Sequence, residues 1–289
     1  MSMNVKQRIF QVLLWLFLLT ALFVFVAPYI FMISNSFEQF SYTLPYPPRF
    51  WPTSLNLDAY RHVLSNQAIV TSFLNSVVIT ISTVSISLFI SSLSAYGFAR
   101  INFVGRDTLF KIYLFTLMLP GFLNLIPQTL ILKAIHIPFL FPTGMIGTRS
   151  GLILLYVSTA ICGNTFFLRN FFRGVPEELT DAVRIDGGGH GHIFYKVMLP
   201  LSKPAIGTMA IMAIQGTWEE YFSAKVILGG NEKLLTLPLM LQRLHGQHAT
   251  RWEWVFAASV LMQIPILILF IRFQKKFVIG GITQGAVKE

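Results

Sequence analysis

The sequence predicts an all-α membrane protein with six transmembrane helices and both termini cytoplasmic. Composition is the first observation behind this. Of the 289 residues, 54% are hydrophobic and 12% charged, against about 25% charged in a soluble domain. Length is the second: six apolar runs approach or exceed the about 20 helical residues that cross a ~30 Å hydrocarbon core. The third is the placement of Lys and Arg, which fall between those runs. A soluble globular enzyme, a disordered tail and a coiled coil are excluded on these grounds. The runs show no period-2 alternation, so they read as helices rather than strands.

In chain order the expected spans are Val12–Ile33, Phe73–Phe98, Thr108–Leu132, Gly151–Phe171, Ala205–Ala224 and Trp254–Phe273. The first follows Lys6 and Arg8 and could be taken for a signal peptide. Its apolar stretch far exceeds a secretory h-region of about 7–15 residues and no A-x-A site follows it, so it reads as an uncleaved span. Between the first two spans, Ser34–Ser72 carries Pro45, Pro47, Pro48 and Pro52 among aromatics, which suits an extended segment over the outer surface. Fourteen of the 22 Lys and Arg fall on the side of both termini, which makes that side cytoplasmic. The formal charge of +10 therefore belongs to topology rather than to nucleic-acid binding.

The second span is rich in Ser and Thr from Ser76 to Ser94, residues that let helices approach closely. Packing is the first reading, and a hydroxyl-lined path the second. In the third span Pro120, Gly121 and Pro127 must kink or open the helix. Asn124 and Gln128 share one of its faces, either lining a path or bonding between helices. Trp218, Glu219 and Glu220 stand in the outer half of the fifth span. A carboxylate there costs at least about 2–3 kcal/mol and needs a partner or water. These five residues are the candidate translocation path, with outer-surface exposure the alternative for the acids. The lone Cys162 permits neither a disulfide framework nor a Cys-based zinc site and reads as a small buried residue.

The segment between the fourth and fifth spans departs from all this. Pro176, Glu177 and Glu178 form a helix start, and the helix runs to about Asp186 before Gly187, Gly188 and Gly189 break it. A second short helix, Ile193–Leu199, meets Pro200 and Pro204. The expected element is a helix, a glycine turn and a helix on the cytoplasmic side. His190 and His192 form H-G-H without a third ligand or an H-E-x-x-H, and read as solvated loop residues. No metal site is expected.

This loop resembles the EAA motif of permease subunits in binding-protein-dependent ABC importers, E-A-A-x3-G-x9-I-x-L-P. Here the motif falls on Asp181-Ala182-Val183, Gly187, Val197 and Leu199-Pro200 with its spacing kept. RIDG at Arg184–Gly187, LPLSKPA at Leu199–Ala205, LTLP at Leu235–Pro238 and GITQGAVKE at Gly281–Glu289 resemble the maltose-transporter type of carbohydrate permease. The likeness runs from about Phe73 to the end, and implies a type I ABC importer fold. That divides the chain into residues 1–72, a first helix with its extracytoplasmic segment, and a transmembrane domain over 73–289. Within that domain lie a coupling loop at 172–203 and a C-terminal tail at 274–289.

The resemblance implies that Asp181, Ala182, Val183, Arg184, Ile185, Asp186 and Gly187 contact the ATPase. Gln284 and Gly285 would reach between two ATPases, and Val226–Arg251 would touch the loaded binding protein. Glu219-Glu220 stand where relatives often have Asn-Asp. The implied partners are a second homologous permease, two ATPase subunits, an extracytoplasmic solute-binding protein, a sugar and membrane lipid. No nucleic acid is implied. The implied location is the cytoplasmic (inner) membrane of a bacterium or archaeon, as a multi-pass protein. The chain is not expected to be an enzyme or to hold a cofactor: no G-x-x-x-x-G-K-[ST] occurs, so ATP and Mg would bind the partner ATPase. An oligosaccharide is the first substrate reading. A polyol, a glycerol phosphodiester or an acidic sugar is the alternative. An ion-coupled secondary transporter would favour acids in several spans, and an intramembrane enzyme would need a fuller ligand set.

Overall fold

The computed structural model describes residues 5–39, 43–44, 46–138, 141–246 and 251–285. The chain divides into two compact units, Met1–Val70 with Met240–Pro265, and Thr71–Leu239 with Ile266–Glu289. Among the described residues, four helices are long and apolar enough to cross a membrane, and up to six spans result if each of two bent helix pairs counts as one. The molecule is thus an all-helical membrane protein.

In the first unit, α1 (Val5–Asn35) extends beyond the expected span at both ends. Its large apolar side chains, Phe17 and Phe25 among them, are exposed along its length, the arrangement that suits hydrocarbon rather than water. Near its end, Ser36 is fully buried and its hydroxyl lies 2.6 Å from that of Tyr60. Tyr60 belongs to α2 (Asp58–Ser65), a helix within the segment expected to be extended. Local chemistry explains the correction. The Asn56 side chain accepts from the Asp58 amide at 2.7 Å, an Asx turn that leads into the new helix, and Ala59 and Val63, four apart, are buried on one face.

The His62 ring of α2 stacks on Trp254, with centroids 3.7 Å apart and planes at 15°. Trp254 lies in the first turn of the last helix of the chain (Trp252–Gly285), where Glu253 forms a 2.5 Å ion pair with Arg251 just before the helix. Burial first, then the Arg251 charge, hold the His62 pKa below its ordinary value, with Glu253 opposing them.

In the second unit, α3 (Gln67–Arg100) spans more than the expected Phe73–Phe98. Ser76, Thr80, Thr83, Ser87, Ser91 and Ser92 are buried along it, so the packing reading of its hydroxyl stripe holds for most of them. Asn75, only 2% exposed, donates at 3.0 Å to both the Lys233 and Leu235 carbonyls. Its carbonyl oxygen accepts from Arg149 at 2.6 Å. The Leu237 amide donates to Ser76 Oγ at 2.8 Å. The LTLP motif is therefore a buried anchor docked on α3.

The expected third span is two helices, α4 (Arg106–Met118) and α5 (Gly121–Ala134), bent by 108°. The break falls at Leu119–Pro120 alone. Leu119 precedes proline and is extended (ψ 127°), because a proline ring disfavours the α region for the residue before it. Pro127 lies inside α5 without ending it. Next comes α6 (Arg149–Arg173), capped by Thr148, whose hydroxyl accepts from Gly151 at 3.0 Å. Cys162 on it is half-buried rather than buried.

The segment that follows holds α7 (Glu178–Ile185) and α8 (His190–Leu201), which contains a π-helical turn at Phe194–Met198. This second helix starts three residues before the expected Ile193, so His190 and His192 sit on a helix rather than in a loop. A 72° bend at the buried Ser202 leads into α9 (Lys203–Glu219). The expected fifth span does not run on to Ala224: it stops at Glu219, and α10 (Phe222–Leu228) begins anew. Beyond it come a 3₁₀ turn at Glu232–Leu234 and α11 (Leu237–Gly246). The last helix, α12 (Trp252–Gly285), starts two residues before the expected Trp254 and outruns Phe273, so 274–285 are helical. Residues 247–250 of the outer segment and 286–289 of the tail lie outside the described residues.

Two outcomes follow. Asn75→Leu strands two carbonyls and Arg149, costs about 2–4 kcal/mol, and lowers the melting temperature in detergent by roughly 5–10 °C. For His62, the unfolded chain takes up a proton near pH 6.5 that the folded state resists. Its contribution is intact above pH 6.5 and is lost as pH falls towards the lower folded value. The melting temperature of His62→Asn should therefore drop less between pH 7.5 and 5.0 than that of the native protein.

Candidate functional site

A cavity of about 520 Å³ opens within the second unit among α3, α6, α9 and α10. This lies in the roughly 300–1,000 Å³ range of small-molecule sites. Thr83 and Ser87 come from α3, and Tyr156, Thr159 and Asn164 from α6. Thr217 closes α9, and Glu220 and Ser223 sit at the helix break, while Phe167, Met209 and Met212 add apolar wall.

Glu220 explains the break. It leaves the helix with ψ 123°, and its carboxylate turns back to accept from the backbone amides of Ser223 at 2.7 Å and Ala224 at 3.1 Å. An acid at that place caps the new helix start and meets its positive end. The Tyr156 hydroxyl donates to Glu220 Oε2 at 2.5 Å across the cavity wall. Non-helical backbone at membrane depth is tolerated where it lines a cavity or is packed in protein. Two other wall groups are not matched in this way. Thr83 Oγ1 and Asn164 Nδ2 are buried without a hydrogen-bond partner, a situation that costs about 1–3 kcal/mol per group.

Of the five expected path residues, only Glu220 lines this cavity. Trp218 is buried edge-on against Phe73, with centroids 5.6 Å apart. Glu219 is exposed, and Asn124 and Gln128 are half-buried on α5. Sequence reasoning passed over Tyr156 and Asn164. A lone amide in an apolar run is the signal that could have raised Asn164. Thr83 and Ser87 fall within the Ser- and Thr-rich stretch of the second expected span.

The second feature is the α7–α8 segment. Asp181, Ala182, Arg184, Ile185, Asp186 and Gly187 are exposed, and Val183 is half-buried. Ile185 is 86% exposed. Asp181 pairs with Arg184 at 3.0 Å. Gly187 holds φ +80°, a left-handed value suited to glycine, and a Cβ on Gly188 would strike Val183.

The opposite side of the segment is fixed. Ile193, Phe194 and Met198 join Tyr96, Leu168 and Phe172 in one buried cluster. Arg100 donates to the carbonyls of Phe172, at 2.8 Å, and Val175, and pairs with Glu177 at 3.6 Å. His190 Nδ1 lies 2.9 Å from the Tyr96 hydroxyl. The result is an exposed short helix on a rigid base. Gln284 and Gly285 fall at the end of α12, away in sequence from either feature. Among the described residues no group of three His, Cys, Asp or Glu could hold a metal ion.

A multi-span helical protein with a cavity walled by a broken helix has the makings of a membrane transport component. Residues 87–278 match the family described as binding-protein-dependent transport system inner membrane component, and the chain belongs to that family. It is an inner-membrane, multi-pass permease subunit of an ABC transporter and is not itself catalytic. The polygalacturonan/rhamnogalacturonan transport system permease protein of Bacillus subtilis is 31% identical over 98% of this chain and 99% of its own. The arabinooligosaccharides transport system permease protein of Halalkalibacterium halodurans is 35% identical over 83% of this chain and 82% of its own. In fold, the chain is similar to a crystal structure of a bacterial ABC transporter involved in the import of the acidic polysaccharide alginate. The TM-score is 0.79 at 24% identity, over 96% of this chain and 99% of that one.

Arg100→Met removes the bonds to Phe172 and Val175 and the Glu177 pair, and tryptic cleavage after Arg173 should speed up several-fold. Arg100→Lys keeps the charge but loses the planar fork and should fall between the two. Limited proteolysis followed by gel electrophoresis reads both.

Proposed function

We infer that this chain is the permease subunit of an ATP-driven importer that translocates an oligosaccharide delivered by an extracytoplasmic binding protein. The observation that carries the sugar reading is likeness to permeases named for polygalacturonan/rhamnogalacturonan transport, over 98% of the chain, and for arabinooligosaccharide transport, over 83%. The cavity supports it, since hydroxyls, an amide and a carboxylate suit a ligand that is itself hydroxyl-rich. A polyol or glycerol phosphodiester has no comparable support.

In this reading α7 is the coupling helix, docked in a cleft of an ATPase subunit, with Asp181–Gly187 in contact. Its exposure and the fixed base beneath it support that role. Six spans, with each bent pair counted as one, and both termini cytoplasmic agree with the Lys and Arg bias. The division into residues 1–72 and a transmembrane domain over 73–289 belongs to the same reading, as do Gln284 and Gly285 as ATPase contacts. A second permease, two ATPases and a binding protein complete the machine. ATP and Mg would sit on the ATPases.

Purified from its host in mild detergent, the tagged chain should bring down an ATPase and a second permease identifiable by mass spectrometry. In the reconstituted complex, Gly187→Val strains the left-handed turn and Asp181→Lys reverses a surface charge. Both should keep ATPase activity within about twofold and lower transport at least tenfold. Normal transport by both variants, or a chain that emerges alone, would sink the coupling assignment.

A further inference from the structure

Positive charge gathers where α3, α4 and α6 end on the side that the Lys and Arg bias makes cytoplasmic. The turn from α3 into α4 forms a second, smaller cavity of about 250 Å³, lined by residues 102, 103 and 105–108. In its wall Arg106 pairs with Asp107 at 3.0 Å and donates to Asn102 at 2.7 Å. Lys111 and Arg169 lie within electrostatic reach of Asp107, and Arg173 and Arg106 within reach of Arg169. Among the described residues, four cations thus stand about one carboxylate.

Topology asks only for exposed charge on the inner side, and Arg169 is buried, at 9% exposure. Its Nε donates to the Phe98 carbonyl at 3.2 Å, and its guanidinium carbon lies 3.7 Å from the centre of the Phe110 ring. It makes no ion pair among the described residues, although a charge withdrawn from water is ordinarily matched by an opposite one. The surface beside this cluster is apolar. Val104, at the tip of the turn, is fully exposed. On α4 the exposed Leu109, Ile112 and Phe115, three apart, share one face, which suits hydrocarbon.

We propose that the α3–α4 turn, with the adjoining parts of α4 and α6, is a binding site for an anionic phospholipid of the cytoplasmic leaflet. Arg106 and Lys111 hold its phosphodiester, and an acyl chain lies along Leu109, Ile112 and Phe115. Charge complementarity selects the head group: a net negative lipid offsets the excess of cations, Arg169 included. A zwitterionic head group brings its own cation into the cluster and forfeits that advantage. Continuity with the apolar face of α4 selects a lipid over a soluble phosphate ester. The site is independent of which solute crosses the membrane.

The test uses the intact complex in mild detergent. A phosphatidylglycerol with a diazirine on one acyl chain is photolysed, and labelled peptides are mapped by mass spectrometry. Label should fall within residues 109–118, half-saturating at a concentration at least about fivefold below that of the matching phosphatidylcholine. Lys111 is exposed and makes no hydrogen bond or ion pair among the described residues, so Lys111→Gln leaves the fold intact. It should raise the half-saturating concentration about fivefold, the worth of one cation near an anionic lipid. Arg106→Lys keeps the charge and should change it less than Lys111→Gln does, while Asp107→Asn should lower it.

Equal half-saturation by the two lipids, or native labelling in Lys111→Gln, would overturn the charge selection. Label confined to other segments would overturn the site. Suppression of the label by glycerol 3-phosphate at concentrations comparable to the lipid would overturn the lipid as occupant in favour of a soluble phosphate ester. Label that enters only after the ATPases are stripped away would assign the patch to a subunit contact and overturn the proposal as well.

Discussion

Inside a bilayer no solvent competes for hydrogen bonds, so each polar group along a buried helix must find its partner within the protein. Helix α3 meets this constraint along most of its length, and the second unit is organised by how it does so. Asn75 and Ser76 hold the buried 233–237 segment at one end. At the other end Tyr96 and Arg100 hold the α7–α8 segment and the end of α6. Between them, Ser91 reaches the Ile161 carbonyl of α6 at 3.4 Å. Thr83, a residue of the cavity lining, departs from the pattern, because its hydroxyl is buried without a partner.

The break after Glu219 belongs to the same accounting. Ending a helix in the middle of an apolar run frees backbone amides, and Glu220 supplies the acceptor that two of them need. An acid that looks out of place in an apolar run thus has a structural task as well as a place in the cavity wall. The two roles are compatible because a carboxylate has more acceptor positions than the helix start uses. A neutral residue could line the cavity, but it could not also cap α10 and take the Tyr156 hydroxyl as well.

Much of the fold was legible because hydropathy and proline chemistry are local. The apolar runs located the long helices, Pro120 marked the bend between α4 and α5, and the glycines after Asp186 marked the end of α7. Pro127 does not end α5, since a proline's effect depends on whether neighbours can satisfy the carbonyl it frees. Helix α2 was missed because proline-rich sequence before it dominated the reading, although Asn56, Asp58 and the Ala59–Val63 spacing carried the signal. The anchor at Asn75 was not legible at all: its partners lie 158 and 160 residues away. The cavity was legible only in part, as an excess of hydroxyls on one helix, because which of them face packed neighbours and which face open space is a tertiary property.

One helix therefore serves both functional regions. Thr83 and Ser87 reach the cavity, and Tyr96 and Arg100 reach the loop. At 1.5 Å per residue, the stretch from Thr83 to Arg100 is about 25 Å of continuous helix. A helix of that length, buried against α6, moves as a body more readily than it bends. Between the exposed α7 and this helix lie the buried cluster and the Arg100 contacts, so the two are joined by packed side chains. The chain changes direction on either side of α9, by 72° at Ser202 and again at the break at Glu220. Since α9 contributes Met209, Met212 and Thr217 to the cavity wall, any shift of α9 against α3 changes the shape of the cavity rather than merely translating it.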